Sequence, residues 1–222
     1  MMSPKLTLVS LDSTCGLTDA IRMCLFMGDV KYNDDRVSWD AFERMKEDLP
    51  FQEVPILKID DEVLSTPGAI ARFVARLVKF YPVEIAKDDM MSCACIDEIM
   101  EACVDLSRRI HMSMARRDQD DDERKRRACM REHLAKHVLP RWLNDIDQIL
   151  ERNEESGFAV GNCMTIADLF LYCMIQLLRH GDVDNVPKGL VERCENVHRH
   201  WKIMSKEPKI VEWTKNHPSK PM

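Results

Sequence analysis

Hydroxyl and thiol side chains cluster in one short segment near the start of the chain. Ser10, Ser13, Thr14 and Cys15 follow an apolar, β-branched run and precede an amphipathic run with helical spacing. The start of a helix carries free N–H groups and the positive end of the helix dipole, so it favours negative charge. A hydroxyl or thiol placed there can be activated for nucleophilic or anion-stabilising chemistry. Ordinary loop and capping roles are the alternative for the same residue types.

Two other clusters have the residue types of metal sites without the full spacing. His133 and His137 lie four residues apart, as zinc ligands on one helical face do, but no acidic third ligand follows as in an H-E-x-x-H site. Cys93 and Cys95 form a C-x-C pair, yet residues two apart on a helix do not face each other. The sequence therefore predicts no metal site. It also has no phosphate-binding glycine loop and no G-x-S-x-G elbow, which leaves nucleotide-dependent and serine-hydrolase functions without support.

The elements that must position these residues change character along the chain. Short β-branched runs and amphipathic runs alternate up to Pro82, which predicts β-α-β, a brief helix, then β-β-α. The predicted strands are 5–10, 31–37, 54–59 and 62–65, and the predicted helices are 18–27, 39–45 and 67–80. Thr18 or Asp19 is the expected N-cap of the first helix, and Asp60-Asp61 is the expected hairpin turn.

Beyond residue 82, no run alternates with a period of two over the length of a strand. Helical periodicity recurs instead at 89–115, 124–150, 165–179, 188–204 and 208–215. The Tyr81-Pro82 pair supplies a break between the two parts. We therefore predict an α/β domain over residues 1–82 and an all-α domain over residues 83–222.

Two local features are more specific than the rest. Pro55 comes just before a predicted strand, where a residue without an N–H suggests a special turn, and a cis bond after Val54 is one way to make it. Thr165 and Asp168 have the spacing of an N-cap and a third helical residue, so each side chain can satisfy a backbone donor of the first turn. This pair predicts a capping box, which serves folding rather than chemistry.

Three segments resemble parts of the cytosolic glutathione transferases, namely FQEVPIL (51–57), AIARFVARLV (69–78) and GNCMTIADLFLY (161–172). The resemblance covers nearly the whole chain, and KLTL, YNDDR and Trp39 are most similar to the sigma-like branch. It implies a thioredoxin-like domain with a mixed four-stranded sheet that binds glutathione, and an all-helical domain with a co-substrate pocket. It also implies a cis Pro55, with the main chain of Val54 facing the cysteinyl unit of glutathione.

The resemblance also bears on the catalytic residue. In the sigma-like branch, a tyrosine of the first strand holds the glutathione sulfur as a thiolate, which is the nucleophile. The aligned positions here are Leu8 and Val9. Branches that use serine place it in a loop resembling Ser13-Thr14-Cys15, just before the first helix. Ser13 is therefore the first candidate catalytic residue and Cys15 is the second.

Other binding positions depart from the family's pattern. Glu43 stands in place of a lysine that holds the glycyl carboxylate, and Glu53 in place of a glutamine. Thr66-Pro67 stands in place of a Gln-Ser pair that grips the γ-glutamyl end. A lost charge-assisted hydrogen bond weakens binding by about 1.5–3 kcal/mol, so we expect weak or altered affinity. The expected glutathione-binding residues are Trp39, Glu53, Val54, Pro55 and Thr66.

Composition limits the partners and the compartment. The 222 residues carry a formal charge of −6, which gives no general attraction for nucleic acid or anionic lipid. No apolar run is long enough to span a membrane, and the N-terminus lacks the pattern of a signal peptide. We expect a cytoplasmic protein without nucleic-acid or membrane partners. The nine cysteines are odd in number and scattered through apolar helical patterns, so free buried thiols are expected.

Three functional hypotheses follow. The first is a homodimeric glutathione transferase of the detoxification type, which conjugates the thiolate to small apolar electrophiles, or a glutathione-dependent isomerase. Glutathione is then a co-substrate, and no other cofactor is needed. The second is a catalytically impaired protein with a ligand-binding, structural or partner-binding role, which the missing tyrosine and the acidic replacements favour. The third is a thiol-transfer enzyme that uses Cys15.

Overall fold

The first domain is built on a mixed four-stranded sheet. The computed structural model describes residues 4–12, 16–82, 89–114, 120–153, 155–180 and 189–217. The strands are β1 (Leu6–Leu11), β2 (Asn33–Val37), β3 (Ile56–Ile59) and β4 (Glu62–Ser65). Their order is β2-β1-β3-β4, with β1 parallel to β2 and the other pairs antiparallel. This confirms the predicted thioredoxin-like arrangement.

Three helices accompany the sheet, namely α1 (Leu17–Met27), α2 (Trp39–Met45) and α3 (Pro67–Leu77). The predicted N-cap of α1 is wrong, because the cap position is Gly16 and no side chain caps the helix. Gly16 has φ 103°, a left-handed conformation that suits glycine and bends the chain into the helix. The helix α3 ends three residues before the predicted Phe80, and Lys79 leaves it with φ 63°.

The regular secondary structure that the structure describes in the second part of the chain is all helical, with a loop over residues 155–165. Its helices are α4 (Asp89–Ser113), α5 (Asp121–His133), α6 (Leu139–Glu151), α7 (Ile166–His180), α8 (Glu195–Met204) and α9 (Pro208–Asn216). The long helix predicted over 124–150 contains a π-helical turn at Leu134–Val138. That turn precedes Pro140, whose missing N–H removes one regular helical hydrogen bond. The predicted domain boundary at residue 82 stays a prediction, since residues 83–88 lie outside the described residues.

One apolar core continues from the sheet into the helical part. Leu8 of β1, Ile21 of α1 and Ile70 of α3 are fully buried and join the same cluster as the side chains of α7. The helix α7 is buried on nearly all sides, which is typical of a core helix rather than of an amphipathic surface helix. It packs against α1 and α4, so it connects the two domains. No helix in the described ranges is long and apolar enough to cross a membrane.

The start of α7 is held by the Asp168 carboxylate. This fully buried group accepts hydrogen bonds from Thr165 N (2.8 Å), Thr165 Oγ1 (2.9 Å) and Ala159 N (2.7 Å). It also lies 2.9 Å from Nε2 of the buried His200 on α8. The Thr165 hydroxyl therefore donates to Asp168 instead of accepting an N–H of the first turn. One side chain thus joins the preceding loop, α7 and α8.

We expect Asp168→Ala to lower the free energy of unfolding by at least about 3 kcal/mol, because it leaves several buried donors without an acceptor. Urea denaturation followed by circular dichroism measures this change. Asp105→Ala is the matched control, since Asp105 is an exposed helical acid whose ion pair is with Arg109, and we expect a change within about 0.5 kcal/mol. A loss below about 1 kcal/mol for Asp168→Ala would contradict this role.

Candidate active site

A cavity of about 310 Å³ opens between the first domain and α4. Its walls come from the end of β1, the starts of α1, α2 and α3, the segment before β3, and the second half of α4. This volume lies at the lower end of the range for small-molecule sites, and the lining mixes apolar and polar side chains as such sites do. The cavity is therefore the candidate site.

The segment before β3 presents main-chain groups to this cavity. Val54 and Pro55 both line it, and the peptide bond between them is cis, which confirms the predicted isomer. The sheet ladder begins at Ile56, opposite Val9 of β1. Within the described part of the chain, the main chain of Val54 makes no hydrogen bond. Its N–H and C=O remain available to a peptide-like ligand.

Ser10 lies at the wall of the cavity near the end of β1. It is 2% exposed, and its Oγ accepts a hydrogen bond from Arg22 Nη2. Its own donation within the described residues is a long 3.3 Å contact to the C=O of Leu11. The hydroxyl proton is therefore weakly held and can turn toward a ligand, while the guanidinium polarises the oxygen.

A network of charges holds Arg22 in place. The guanidinium is fully buried and donates to Asp19 at 2.8 Å and to Asp34 at 3.0 Å, and Arg36 donates to Asp34 at 2.7 Å. Burial raises the pKa of Asp19, and the Arg22 charge opposes this shift. Asp12 also lies 4.0 Å from Arg36, so the acids of the network more than offset its two bases. Arg22 therefore acts on Ser10 chiefly through their hydrogen bond.

The position of the missing tyrosine and Ser10 lie on the same face of β1. Leu8 is fully buried, and Ser10 follows it by two residues, so their side chains point to the same side of the sheet. The sequence grouped Ser10 with the loop residues and favoured Ser13. Ser13 and Cys15 lie outside the described residues, so the structure says nothing of their side chains. The residue that the structure brings to the cavity is Ser10.

The other expected glutathione-binding residues are divided between the cavity and its surroundings. Trp39 lines the cavity, with its ring 5.3 Å from that of Phe42, and the exposed Glu53 lines it too. Thr66 is exposed and does not line the cavity, whereas Pro67 does. Thr66 has φ 71°, a genuine outlier for a β-branched residue of the kind that gathers at ligand sites.

The helix α4 contributes a wall of the cavity that was not predicted from the sequence. Val104, Ser107, Arg108 and His111 line the cavity and follow the i, i+3, i+4, i+7 spacing of one helical face. His111 Nδ1 lies 2.7 Å from the C=O of Ser107, which fixes the ring on that face. The three polar residues on this face were the available signal, but only the packing of α4 shows that they meet the cavity.

The histidine pair lies elsewhere, at a second cavity of about 440 Å³ between α4, α5 and α6. The rings of His133 and His137 are 5.2 Å apart, and both residues are exposed. Among the described residues, no group of three or more His, Cys, Asp and Glu side chains is placed to hold a metal ion. The pair therefore contributes at most two ligands.

Comparison with known proteins identifies the family. The family model described as "Glutathione S-transferase, C-terminal domain" matches residues 105–217. Glutathione S-transferase 2 of Caenorhabditis elegans is 31% identical over 154 residues, which cover 69% of this chain and 78% of that protein. The chain belongs to the glutathione S-transferase family.

Two further relatives show the range of this family. S-crystallin 2 of Octopus vulgaris is 28% identical over 169 residues, covering 72% of this chain and 75% of that one. Among solved structures, prostaglandin synthase D of Nilaparvata lugens matches with a TM-score of 0.78 at 18% identity, covering 98% of this chain and 100% of that one. This structural likeness supports the two-domain transferase fold.

The thiols of this glutathione S-transferase family member differ in accessibility. Cys24, Cys103 and Cys173 are buried, and burial raises the pKa of the Cys24 and Cys103 thiols. The expectation of buried thiols is wrong for Cys129 and Cys163, which are exposed because they lie on α5 and in the loop before α7. A raised pKa lowers the thiolate fraction, so the buried thiols are inert.

We expect brief alkylation of the native protein with iodoacetamide at pH 8 to label Cys129 and Cys163 and to leave Cys24 and Cys103 unmodified. Peptide mass spectrometry after digestion measures the modification at each site and also gives the reactivity of Cys15. The urea-unfolded protein is the control, in which all sites should react. Rapid labelling of Cys24 or Cys103 in the native state would contradict their burial.

Proposed function

We propose that this protein is a glutathione transferase that joins the thiolate of glutathione to small apolar electrophiles, or that uses the same thiolate in a glutathione-dependent isomerisation. The observation that carries the proposal is the convergence of two groups on one cavity, the free main chain of Val54 and the hydroxyl of Ser10. Glutathione serves as a co-substrate, and no further cofactor takes part. The protein acts in the cytoplasm as a homodimer.

Val54 gives the cavity its preference for a peptide-like substrate. Its N–H and C=O can pair with the C=O and N–H of the cysteinyl unit, as in the addition of a short strand to a sheet edge. Trp39 lines the same cavity, whereas the hydroxyl that the sequence suggested at Thr66 lies outside the lining. Glu43 and Glu53 place negative charge near an anionic tripeptide, so we expect a weaker affinity than a cationic site would give.

Ser10 is the best-supported candidate for holding the sulfur. The glutathione thiol releases its proton to solvent, and the Ser10 O–H donates a hydrogen bond to the resulting thiolate. The Arg22 guanidinium remains hydrogen-bonded to Ser10 Oγ and strengthens this donor. The thiolate then attacks the electrophilic carbon, the C–S bond forms, and the leaving group departs with its electron pair. Ser13 and Cys15 remain the rival donors.

The alternative is a catalytically impaired family member that binds ligands, or that serves a structural or partner-binding role. Leu8 at the tyrosine position and the acidic residues at Glu43 and Glu53 favour it. The relative named S-crystallin 2 bears a name that is not that of an enzyme, which also supports this alternative. Because one fold can host both roles, only the behaviour of the site decides between them.

We expect Ser10→Ala to lower kcat/KM for glutathione and 1-chloro-2,4-dinitrobenzene by about 100-fold or more, because it removes the donor to the thiolate. Retention on immobilised glutathione should persist, and Ser10→Thr should keep most of the activity. Ser13→Ala and Cys15→Ala are the matched variants, for which we expect little change.

Other results of these assays would indicate a different donor or a different function. If Ser13→Ala or Cys15→Ala causes the loss, the donor is that residue and not Ser10. A mixed disulfide of Cys15 with glutathione, detected by mass spectrometry, would indicate thiol transfer. If the unmodified protein neither binds the resin nor turns over the electrophile at millimolar glutathione, the enzyme proposal fails and the alternative stands.

The homodimer is supported by apolar side chains on the surface of the single chain. Phe51 is 76% exposed, and Met90 and Met91 at the start of α4 are 64% and 72% exposed. A second copy of the chain that covers these side chains would remove their apolar surface from water. Phe51 lies in the turn between α2 and β3, next to the candidate site.

We expect sedimentation velocity at micromolar concentration to give twice the chain mass of 25.8 kDa, and Phe51→Asp to shift the protein toward the monomer. Val211→Asp is the control, because Val211 is also exposed but lies on α9. A monomeric wild-type protein at high micromolar concentration would refute the dimer.

A further inference from the structure

The cavity carries a positive group on the wall formed by α4. Arg108 lines the cavity, and within the described residues it makes no ion pair and no hydrogen bond. The adjacent Arg109, by contrast, forms an ion pair with Asp105 at 2.8 Å. A guanidinium that lines a ligand cavity without a protein partner is suited to bind a carboxylate through two parallel hydrogen bonds.

The residues around Arg108 make the α4 wall of the cavity mostly polar. His111 lies one turn further along the same face, with Nδ1 held by the Ser107 C=O, which leaves Nε2 for a ligand. Leu11, Leu17 and Val104 supply apolar contacts in the same cavity. The lining therefore suits a molecule with an apolar body and one anionic end.

The negative group of the cavity lies on another element. Glu53 belongs to the segment before β3, next to the main chain of Val54. It forms no ion pair with Arg108, so the two charges do not cancel at contact. The part of the cavity that fits a peptide main chain is thus acidic, and the α4 wall is basic.

We propose that the second substrate is an apolar electrophile that carries a carboxylate, and that Arg108, assisted by His111, binds this carboxylate and determines the preference for acids over their neutral analogues. The inference rests on the proposed function, because it assigns the second substrate of the same cavity. Arg108 is a specificity-determining residue and takes no part in the chemistry at the sulfur.

Direct binding without glutathione tests the proposal apart from catalysis. Isothermal titration calorimetry compares 8-phenyloctanoate with 8-phenyloctanamide, which has nearly the same shape and no charge. We expect the acid to bind about tenfold more tightly or better, as a charge-assisted hydrogen bond would give. Arg108→Ala should reduce this preference to near unity, and Arg108→Lys should retain part of it. His111→Ala should lower it by about threefold, the effect of one ordinary hydrogen bond.

Arg109→Ala is the matched control, because Arg109 neighbours Arg108 in sequence but lines the second cavity. It should leave the preference unchanged. Equal binding of acid and amide by the wild type would overturn the proposal, as would an equal weakening of both ligands in Arg108→Ala. An Arg108→Ala variant that keeps the preference but has a higher KM for glutathione would instead assign Arg108 to glutathione. A clear acid preference in a protein that does not turn over glutathione would refute the proposed function and leave only the carboxylate-binding role of Arg108 standing.

Discussion

The buried guanidinium of Arg22 is the constraint around which the first domain is arranged. A charge with no exposed surface is tolerated only when its donors find acceptors, because the loss of hydration is otherwise very costly. The acceptors here come from Asp19 of α1, Asp34 of β2 and Ser10 of β1. The helix α1 must therefore lie across β1 and β2 in one orientation. That same orientation fixes Ser10 at the wall of the cavity.

Carboxylates also hold the helices on the other side of the cavity in place. Asp168 joins the start of α7 to the preceding loop and to α8. Asp147 of α6 accepts hydrogen bonds from the N–H groups of Asn196 and Val197, so it caps α8 from another helix. Because α7 packs on both α1 and α4, the rigid helix starts also keep α4 in place against the cavity. The site thus lies between two parts that are each held by buried acids.

The sequence predicted those features that depend on neighbouring residues. The strands, the hairpin at Asp60 and the brief helix at Trp39 follow from local periodicity and turn chemistry, and the resemblance to the glutathione transferases implied the cis Pro55. Features that join distant segments were not predictable in this way. The cap on α8 comes from Asp147, about 50 positions earlier in the chain. Because no neighbouring residue marks the start of α8, the periodicity over 188–204 placed that start too early. Local capping rules also suggested Thr18 or Asp19 for α1, but Asp19 is instead used by Arg22.

The candidate site shows the same limit more sharply. Ser10 is the penultimate residue of β1 and one of several hydroxyl and thiol residues before the first helix, and its contact with Arg22, twelve positions later, distinguishes it from the others. Arg108 and Arg109 are adjacent and identical in type, and locally only Asp105, which stands four residues before Arg109, distinguishes them. One faces the candidate site and the other pairs with Asp105 at the second cavity. The spacing accounts for the pairing of Arg109, but only the packing of α4 shows that Arg108 lines the candidate site.

The distribution of charge in the cavity links these observations to function. The family's pattern places a cation in the first domain for glutathione, whereas this chain has Glu43 there and Glu53 beside Val54. The unpaired cation of the cavity is on α4 instead. Main-chain hydrogen bonds from Val54 do not depend on these side chains. The first domain can therefore still bind a peptide-like ligand, though with less electrostatic attraction for an anionic one. Under the proposed function, electrostatic selection therefore acts on the second substrate more than on glutathione.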